Sequence, residues 1–155
     1  LYHDLYDVET VTLRYFNVYG PNQTGGDYAG VIDVFADQAR NGDPITVHGD
    51  GQQTRDFVHV DDVVRANRLA ARTEHVGRAY NVGTGEAVTI RDLAERIRER
   101  VGSDSEIVHT TARDGDIRHS RADISRARDR LEYDVTVGLD AGLDTAVPAA
   151  PDAEQ

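Results

Sequence analysis

The stretch HGDGQQTRDFVHVDD, running from His48 to Asp62, decides how the rest of this chain is read. Asp50-Gly51 signals a tight turn, because glycine tolerates the positive φ that primed hairpin turns demand. Ile45 and Val47 lead into the turn, and Phe57, Val58 and Val60 leave it at the apolar density of a strand. The residues therefore predict a hairpin feeding a helix. Arg55 sits at the mouth of the second strand, where its planar guanidinium has two uses. It can take an anion through parallel N–H donors, or it can pair with Asp56 or another surface acid. Asp61 and Asp62 then open the amphipathic run VVRANRLAAR and suit the electropositive start of a helix over 64–72.

Working outward, strand and helix signals alternate. Leu1–Asp7 reads as the tail of a helix and Val11–Phe16 as a β-rich strand. Asn17–Gly30 is punctuated like a loop. Val31–Arg40 has helical spacing, with Val31, Val34, Phe35 and Gln38 on one side and Asn41-Gly42 as its stop. Ala79–Val82 is a short strand. Thr89 and Asp92 form a short-acid capping box for a helix whose apolar stripe is Ile90, Leu93, Ala94, Ile97 and Val101, and Gly102 ends it. Its polar face, Glu95, Arg96, Arg98, Glu99 and Arg100, reads as solvated surface. Ser125–Leu131 and Leu139–Val147 are further helices, and 148–155 is an Ala/Pro-rich tail expected to be disordered. The pattern is that of an α/β protein.

Composition narrows the function. The 155 residues, 39% of them apolar, suit one domain of ordinary size. No apolar run is long enough to span a bilayer and no signal peptide is visible, so the expectation is a cytoplasmic protein without a membrane partner. With no cysteine there is neither a disulfide framework nor a thiolate zinc site, and the six histidines lack metal-ligand spacing. The net charge is −11, and all 17 basic residues are arginine. Such a surface repels nucleic acid and acidic membranes, and it fits adaptation to high salt.

Four stretches in register carry a resemblance: LRYFNVYGP (Leu13–Pro21), the opening stretch with its Thr-Arg-Asp-Phe, YNVGTG (Tyr80–Gly85) and RDGDIRHSRAD (Arg113–Asp123). Together they resemble the C-terminal half of NAD-dependent nucleotide-sugar epimerases, the extended branch of the short-chain dehydrogenase/reductases. The pattern is most similar to that of UDP-glucose 4-epimerases. The resemblance implies the last strands of a Rossmann sheet plus a small α/β substrate-binding domain. Residues 1–30 would end the NAD-binding part. Residues 31–147 would form mainly the nucleotide-sugar domain, with 79–85 returning to the Rossmann sheet. The family's Tyr-x-x-x-Lys catalytic pair cannot lie in a lysine-free chain, and none of the 14 glycines forms a Gly-x-Gly-x-x-Gly turn. The chain also begins at Leu1 and has no methionine. It is therefore expected to be a fragment that carries no catalytic residue and is inactive alone.

The resemblance also implies roles. Tyr15 and Phe16 would line the nicotinamide end of NAD, with backbone at Val18 meeting the carboxamide. Asn17 would donate its amide to the substrate diphosphate, which Arg55 and Arg113 would clamp from two sides. Asp116 would accept from the ribose hydroxyls. Thr46 and His48 would offer main-chain groups to uracil, His48 also stacking on it, and Val31 would line the sugar or nucleotide pocket. Asp114 stands where proline or alanine is usual, and Gly30 where some relatives have asparagine. The expected partner is a UDP-sugar or another nucleotide-diphosphate sugar, and members of the family usually form homodimers through helices lying upstream. The function implied is 4-epimerisation through a 4-keto sugar. The rivals are a 4,6-dehydratase or decarboxylase of the same fold and a non-catalytic nucleotide-sugar-binding module. Dehydratases tend to read Arg-Asp-Trp and Glu-Asp-His where this chain has Arg55-Asp56-Phe57 and Asp61-Asp62-Val63.

Overall fold

A computed structural model describes residues 2–23 and 30–148, so part of the 17–30 loop and nearly all of the expected tail lie outside the described residues. In chain order the elements are α1 (Tyr2–Tyr6), β1 (Val11–Tyr15), β2 (Asn17–Tyr19), α2 (Val31–Asn41), β3 (Ile45–His48), β4 (Thr54–Arg55), β5 (Phe57–His59), α3 (Val60–Ala70), β6 (Arg78–Val82), β7 (Val88–Thr89), α4 (Ile90–Val101), β8 (Ile107–Thr110), α5 (Ser125–Leu131) and α6 (Leu139–Ala146). The fold is α/β. β1 pairs with β6, β2 with β5 and β3 with β8, all parallel, while the short β4 and β7 pair antiparallel.

Parallel pairing corrects the hairpin expected around Asp50-Gly51. The turn is present: Gly51 has φ 73° and the Asp50 carboxylate accepts from the Gln52 N–H at 2.9 Å. The strands on either side nevertheless find distant partners, Ile45 aligning with Ile107 and Phe57 with Asn17. The turn instead lays residues 51–55 against the start of α4, where Ile90 and Arg91 donate their N–H groups to Gln53 and Gly51. β5 is buried at all three positions, as a strand covered on both faces must be. Because successive side chains point to opposite faces, Phe57 enters one core and Val58 another. The first core also holds Ile32 and Phe35 of α2, Ile45 and Val47 of β3, and Leu93 and Ile97 of α4. The second holds Tyr80, Val82, Ile124, Leu131 and Tyr133.

Helix ends follow local chemistry. Gly42 and Gly102 adopt the left-handed conformation that closes α2 and α4, and Thr89 accepts from the Asp92 N–H at 3.0 Å. α3 starts at Val60, four residues before the sequence reading, because His59 caps it by accepting from the Asp61 N–H. The polar face of α4 does more than meet solvent: Arg96 and Arg100 clasp Asp140 and Asp144 of α6. Burial pushes the Asp140 carboxyl up, but the two guanidinium groups outweigh it and hold it below the usual carboxylate range.

Two buried aspartates tie the segments together. The Asp62 carboxylate accepts from the N–H groups of Thr136 and Val137, anchoring the chain before α6. The Asp56 carboxylate is fully buried and accepts from Thr84 N–H (2.8 Å), Thr84 Oγ1 (2.7 Å), Gly85 N–H (2.9 Å) and Ala122 N–H (3.0 Å). Gly83 must lack a side chain beside it, since a Cβ there would sit 2.5 Å from the Ala122 Cβ. Replacing Asp56 by alanine strands three main-chain donors, that of Ala122 buried and those of Thr84 and Gly85 part-buried, each costing about 1–3 kcal/mol. Urea denaturation of Asp56→Ala is therefore expected to show a loss of at least about 3 kcal/mol, whereas a loss below about 1 kcal/mol would mean that water takes over the carboxylate's bonds.

Candidate functional site

One cavity of about 420 Å³ opens between α2, β3 and the segment after β8, lined by Asn17, Val31, Val34, Phe35, Gln38, Thr46, His48, Gln53, Arg55, Phe57, Ile90, Arg113 and Asp116. The elements explain why these residues meet. α2 presents the side marked by Val31, Val34, Phe35 and Gln38 to the cavity, not wholly to the core. Ile32, Ala36 and Ala39 pack inward instead, with Phe35 serving both faces, and Val34 remains 38% exposed. Asn17 begins β2 where the chain leaves β6 for β5: the Phe16 N–H takes the Val82 carbonyl, and the Asn17 N–H takes the Asp56 carbonyl at 3.1 Å. The same carbonyl accepts from Asn17 Nδ2 at 2.8 Å, which fixes the side-chain amide.

The cationic wall comes from two places far apart in sequence. Arg55, with a side chain only 16% exposed, donates to the Thr54 and Ile117 carbonyls and forms an ion pair with Asp116, not with Asp56. Arg113 donates through Nη2 to His48 Nε2 at 3.1 Å. A guanidinium can only donate, so Nε2 accepts and the proton of His48 lies on Nδ1, directed at the Thr111 carbonyl at 3.3 Å. The segment carrying Arg113 and Asp116 is pinned by Arg118, whose two terminal nitrogens grip Asp50 at 2.8 and 2.9 Å. That pairing draws the exposed Asp50 carboxyl below its ordinary range.

The seven residues expected to meet a nucleotide-sugar, Asn17, Val31, Thr46, His48, Arg55, Arg113 and Asp116, thus surround one space. The three expected to meet NAD do not border it. Tyr15 is 46% exposed, faces a separate cleft and donates its hydroxyl to Asn67 Oδ1 at 2.9 Å. Phe16 and Val18 pack against the second core. The open Tyr15 ring at the carboxyl end of a parallel strand suits a flat ring, and the described residues offer no glycine turn for a pyrophosphate. Of the three, only the Tyr15 ring is open to a cofactor, and the side chains of Phe16 and Val18 are turned to the core. Sequence reading missed Gln38 and Gln53 as strand-edge partners: Gln38 Oε1 accepts from the Thr46 N–H at 3.0 Å, and Gln53 Nε2 donates to the His48 carbonyl at 2.7 Å. The available signal was the position of Gln38 on the same helix side as Val31 and Val34. No group of three or more His, Asp or Glu side chains among the described residues is placed to hold a metal ion, and no helix there is long and apolar enough to cross a membrane.

Comparison with known proteins gives the family. Residues 1–83 match the NAD dependent epimerase/dehydratase family. The chain is 38% identical over 143 residues to the UDP-glucose 4-epimerase of Mycolicibacterium smegmatis, covering 92% of this chain and 46% of that protein. It is 36% identical over 138 residues to the UDP-N-acetyl-alpha-D-glucosaminuronate decarboxylase of Bacillus cytotoxicus, covering 84% and 43%. The crystal structure of the Thermotoga maritima UDP-glucose 4-epimerase with UDP-glucose superposes with a TM-score of 0.90 at 38% identity, over 94% of this chain and 47% of that one. The chain spans about half the length of the curated relatives it matches.

Arg55 and Arg113 are the two guanidinium groups that line the cavity, and Asp116 already pairs with Arg55, so an anion entering there would compete with that carboxylate. Calorimetric titration with inorganic pyrophosphate at low ionic strength is expected to show about tenfold or greater weakening in Arg55→Ala and in Arg113→Ala, the loss of charge-assisted hydrogen bonds. Asp116→Asn is expected to strengthen binding, and weaker binding in that variant would count against the competition.

Proposed function

Because the chain belongs to the NAD dependent epimerase/dehydratase family, we propose that it is the substrate-binding half of a nucleotide-sugar 4-epimerase, interconverting UDP-glucose and UDP-galactose through a 4-keto sugar. The observation that carries the reading is the meeting of Arg55 and Arg113 beside Asn17 in one cavity. A nucleotide-sugar diphosphate brings two negative charges, and an acidic chain needs a local pair of guanidinium groups to hold them against its overall field.

In this reading Arg55 leaves Asp116 for the diphosphate, and Asp116 turns to the ribose hydroxyls. Arg113 holds the second phosphate while His48 keeps its guanidinium aimed. Asn17 offers the remaining hydrogen of Nδ2 to a phosphate oxygen, the other being held by the Asp56 carbonyl. Thr46 and His48 receive the base along the strand edge. Val31 borders the sugar end with apolar surface that fixes no hydroxyl, so a keto sugar can turn about its bond to the anchored diphosphate. The Tyr15 ring, backed by Phe16 and with the main chain at Val18, would meet the nicotinamide end of NAD, which when bound supplies a hydride acceptor and donor. Deprotonation of the sugar hydroxyl belongs to the tyrosine of the family's Tyr-x-x-x-Lys pair, which this lysine-free chain does not contain.

Phe57 and Val63, where dehydratases read tryptophan and histidine, favour epimerisation over dehydration, although decarboxylases stand among the relatives. The β1–β6 pair is a two-stranded parallel sheet, and Tyr2, Leu5, Tyr6 and Val8 near it are exposed, so the isolated chain is expected to hold its ligand poorly. Isothermal titration of this polypeptide with UDP is expected to give weak binding, with a Kd on the order of 0.1 mM or weaker. Tight binding, on the order of 1 μM or below, would instead identify a self-sufficient nucleotide-sugar-binding module.

A further inference from the structure

We propose that Gln38 sets the base specificity of the cavity, selecting bases with an acceptor–donor–acceptor edge, the pyrimidine-2,4-diones, over cytosine and guanine. The inference rests on the nucleotide-sugar reading above and adds to it a side chain that dictates the base.

It follows from the free edge of β3. The Ile45 N–H donates to the Glu106 carbonyl at 2.8 Å and the Gly49 N–H to the Thr110 carbonyl at 2.9 Å, so the odd-numbered positions turn their main-chain groups toward β8. Thr46 and His48 turn theirs the other way, and both residues line the cavity. Along that edge the groups run Thr46 N–H, Thr46 C=O, His48 N–H and His48 C=O. The outer two are taken, the first by Gln38 Oε1 and the last by Gln53 Nε2. The inner two, an acceptor and a donor, have no partner among the described residues.

The orientation of the Gln38 amide is not arbitrary. A main-chain N–H can only donate, so the atom facing Thr46 must be Oε1, and Nε2 is the atom left to the cavity that Gln38 lines. The neighbouring groups then read, in order, donor (Gln38 Nε2), acceptor (Thr46 C=O) and donor (His48 N–H). Uracil and thymine present the complement: O2, N3–H and O4. Cytosine would set its bare N3 against the Thr46 carbonyl. Guanine would bring its exocyclic amine against Gln38 Nε2, donor to donor. Adenine can satisfy two of the three positions. A site whose polar groups are left unpaired by the wrong ligand discriminates far better than one that relies on apolar fit.

Ligand-observed NMR competition on the 155-residue chain ranks affinities into the millimolar range and so reads this directly. UDP is expected to bind at least about tenfold tighter than CDP or GDP, the loss of one to two hydrogen bonds. The diphosphate of 2-thiouridine, whose sulfur accepts poorly, is expected to bind more weakly than UDP. In Gln38→Met that difference disappears. Gln38→Glu keeps an acceptor for Thr46 but replaces the cavity-facing donor, so the preference for UDP over GDP is expected to shrink about tenfold. If no nucleotide binds the unmodified chain, the nucleotide-sugar reading itself fails. If UDP binds but CDP and GDP bind equally well, or the 2-thio exchange costs nothing, the role of Gln38 falls while that reading stands. The comparisons on the unmodified chain need no variant to fold.

Discussion

Everything at the cavity depends on a carboxylate that never reaches it. Asp56 is buried without a counter-cation, which is tolerable only because four donors converge on its two oxygens. Those donors come from the turn after β6 and from the segment leading into α5, while the carbonyl of the same residue grips both nitrogens of Asn17. One residue therefore fixes three stretches of chain that share no sequence proximity. Neighbouring side chains in an extended backbone point opposite ways, so seating Asp56 inward aims Arg55 outward over the cavity. The order Arg-Asp thus works as a mechanical unit: the acid anchors and the base is presented.

The charge distribution makes sense in the same terms. Exposed pairs such as Arg91 with Glu95 contribute little individually, and the chain's excess of acid is spread over solvated faces. Arg96 and Arg100 gain more from company, since together they draw α6 onto α4 and bring Leu143 and Val147 into the first core. Arg55 stands apart. It is largely shielded from water, and its ion-pair partner comes from a segment whose own anchors are the Arg118–Asp50 pair and main-chain bonds at Thr54. The carboxylate of Asp116 keeps the guanidinium in place with no ligand needed to orient it.

What the sequence made legible was whatever is chemically local. The ends of α2 and α4 are written in Gly42, Thr89, Asp92 and Gly102, each acting within four residues of itself. Pairing is not local. Asp50-Gly51 has the chemistry of a hairpin turn, yet β3 aligns with β8 some 60 positions later, Ile45 against Ile107, and nothing inside either strand names its partner. β8 itself went unread although Gly102–Ser105 and Asp114-Gly115 bracket it, because only Ile107 and Val108 in Ile107–Thr110 are apolar. The partner of Arg55 was sought among acids such as Asp56 and found instead at Asp116 for the same reason. Resemblance supplied Arg113, Asp116 and Asn17 because family motifs compress long-range geometry into short strings. It could not supply Gln38 and Gln53, whose roles depend on which side of β3 remains unpaired.

The pre-engaged Arg55 also bears on how such a site turns over. An arginine left free in the cavity would bind a diphosphate more tightly, because nothing would have to be displaced. It would also lose side-chain freedom on binding, and in an acidic chain it would be drawn toward whichever carboxylate lay nearest. Pairing it with Asp116 exchanges one charge-assisted contact for another when the ligand arrives, so the net gain is modest while the geometry is set beforehand. Under the proposed epimerase reading, in which a sugar is released after inversion, moderate affinity with fixed orientation serves better than tight capture. In that reading the strand edge and the guanidinium pair would orient the nucleotide end, and the apolar wall of Val31, Val34 and Phe35 would leave the other end free to move.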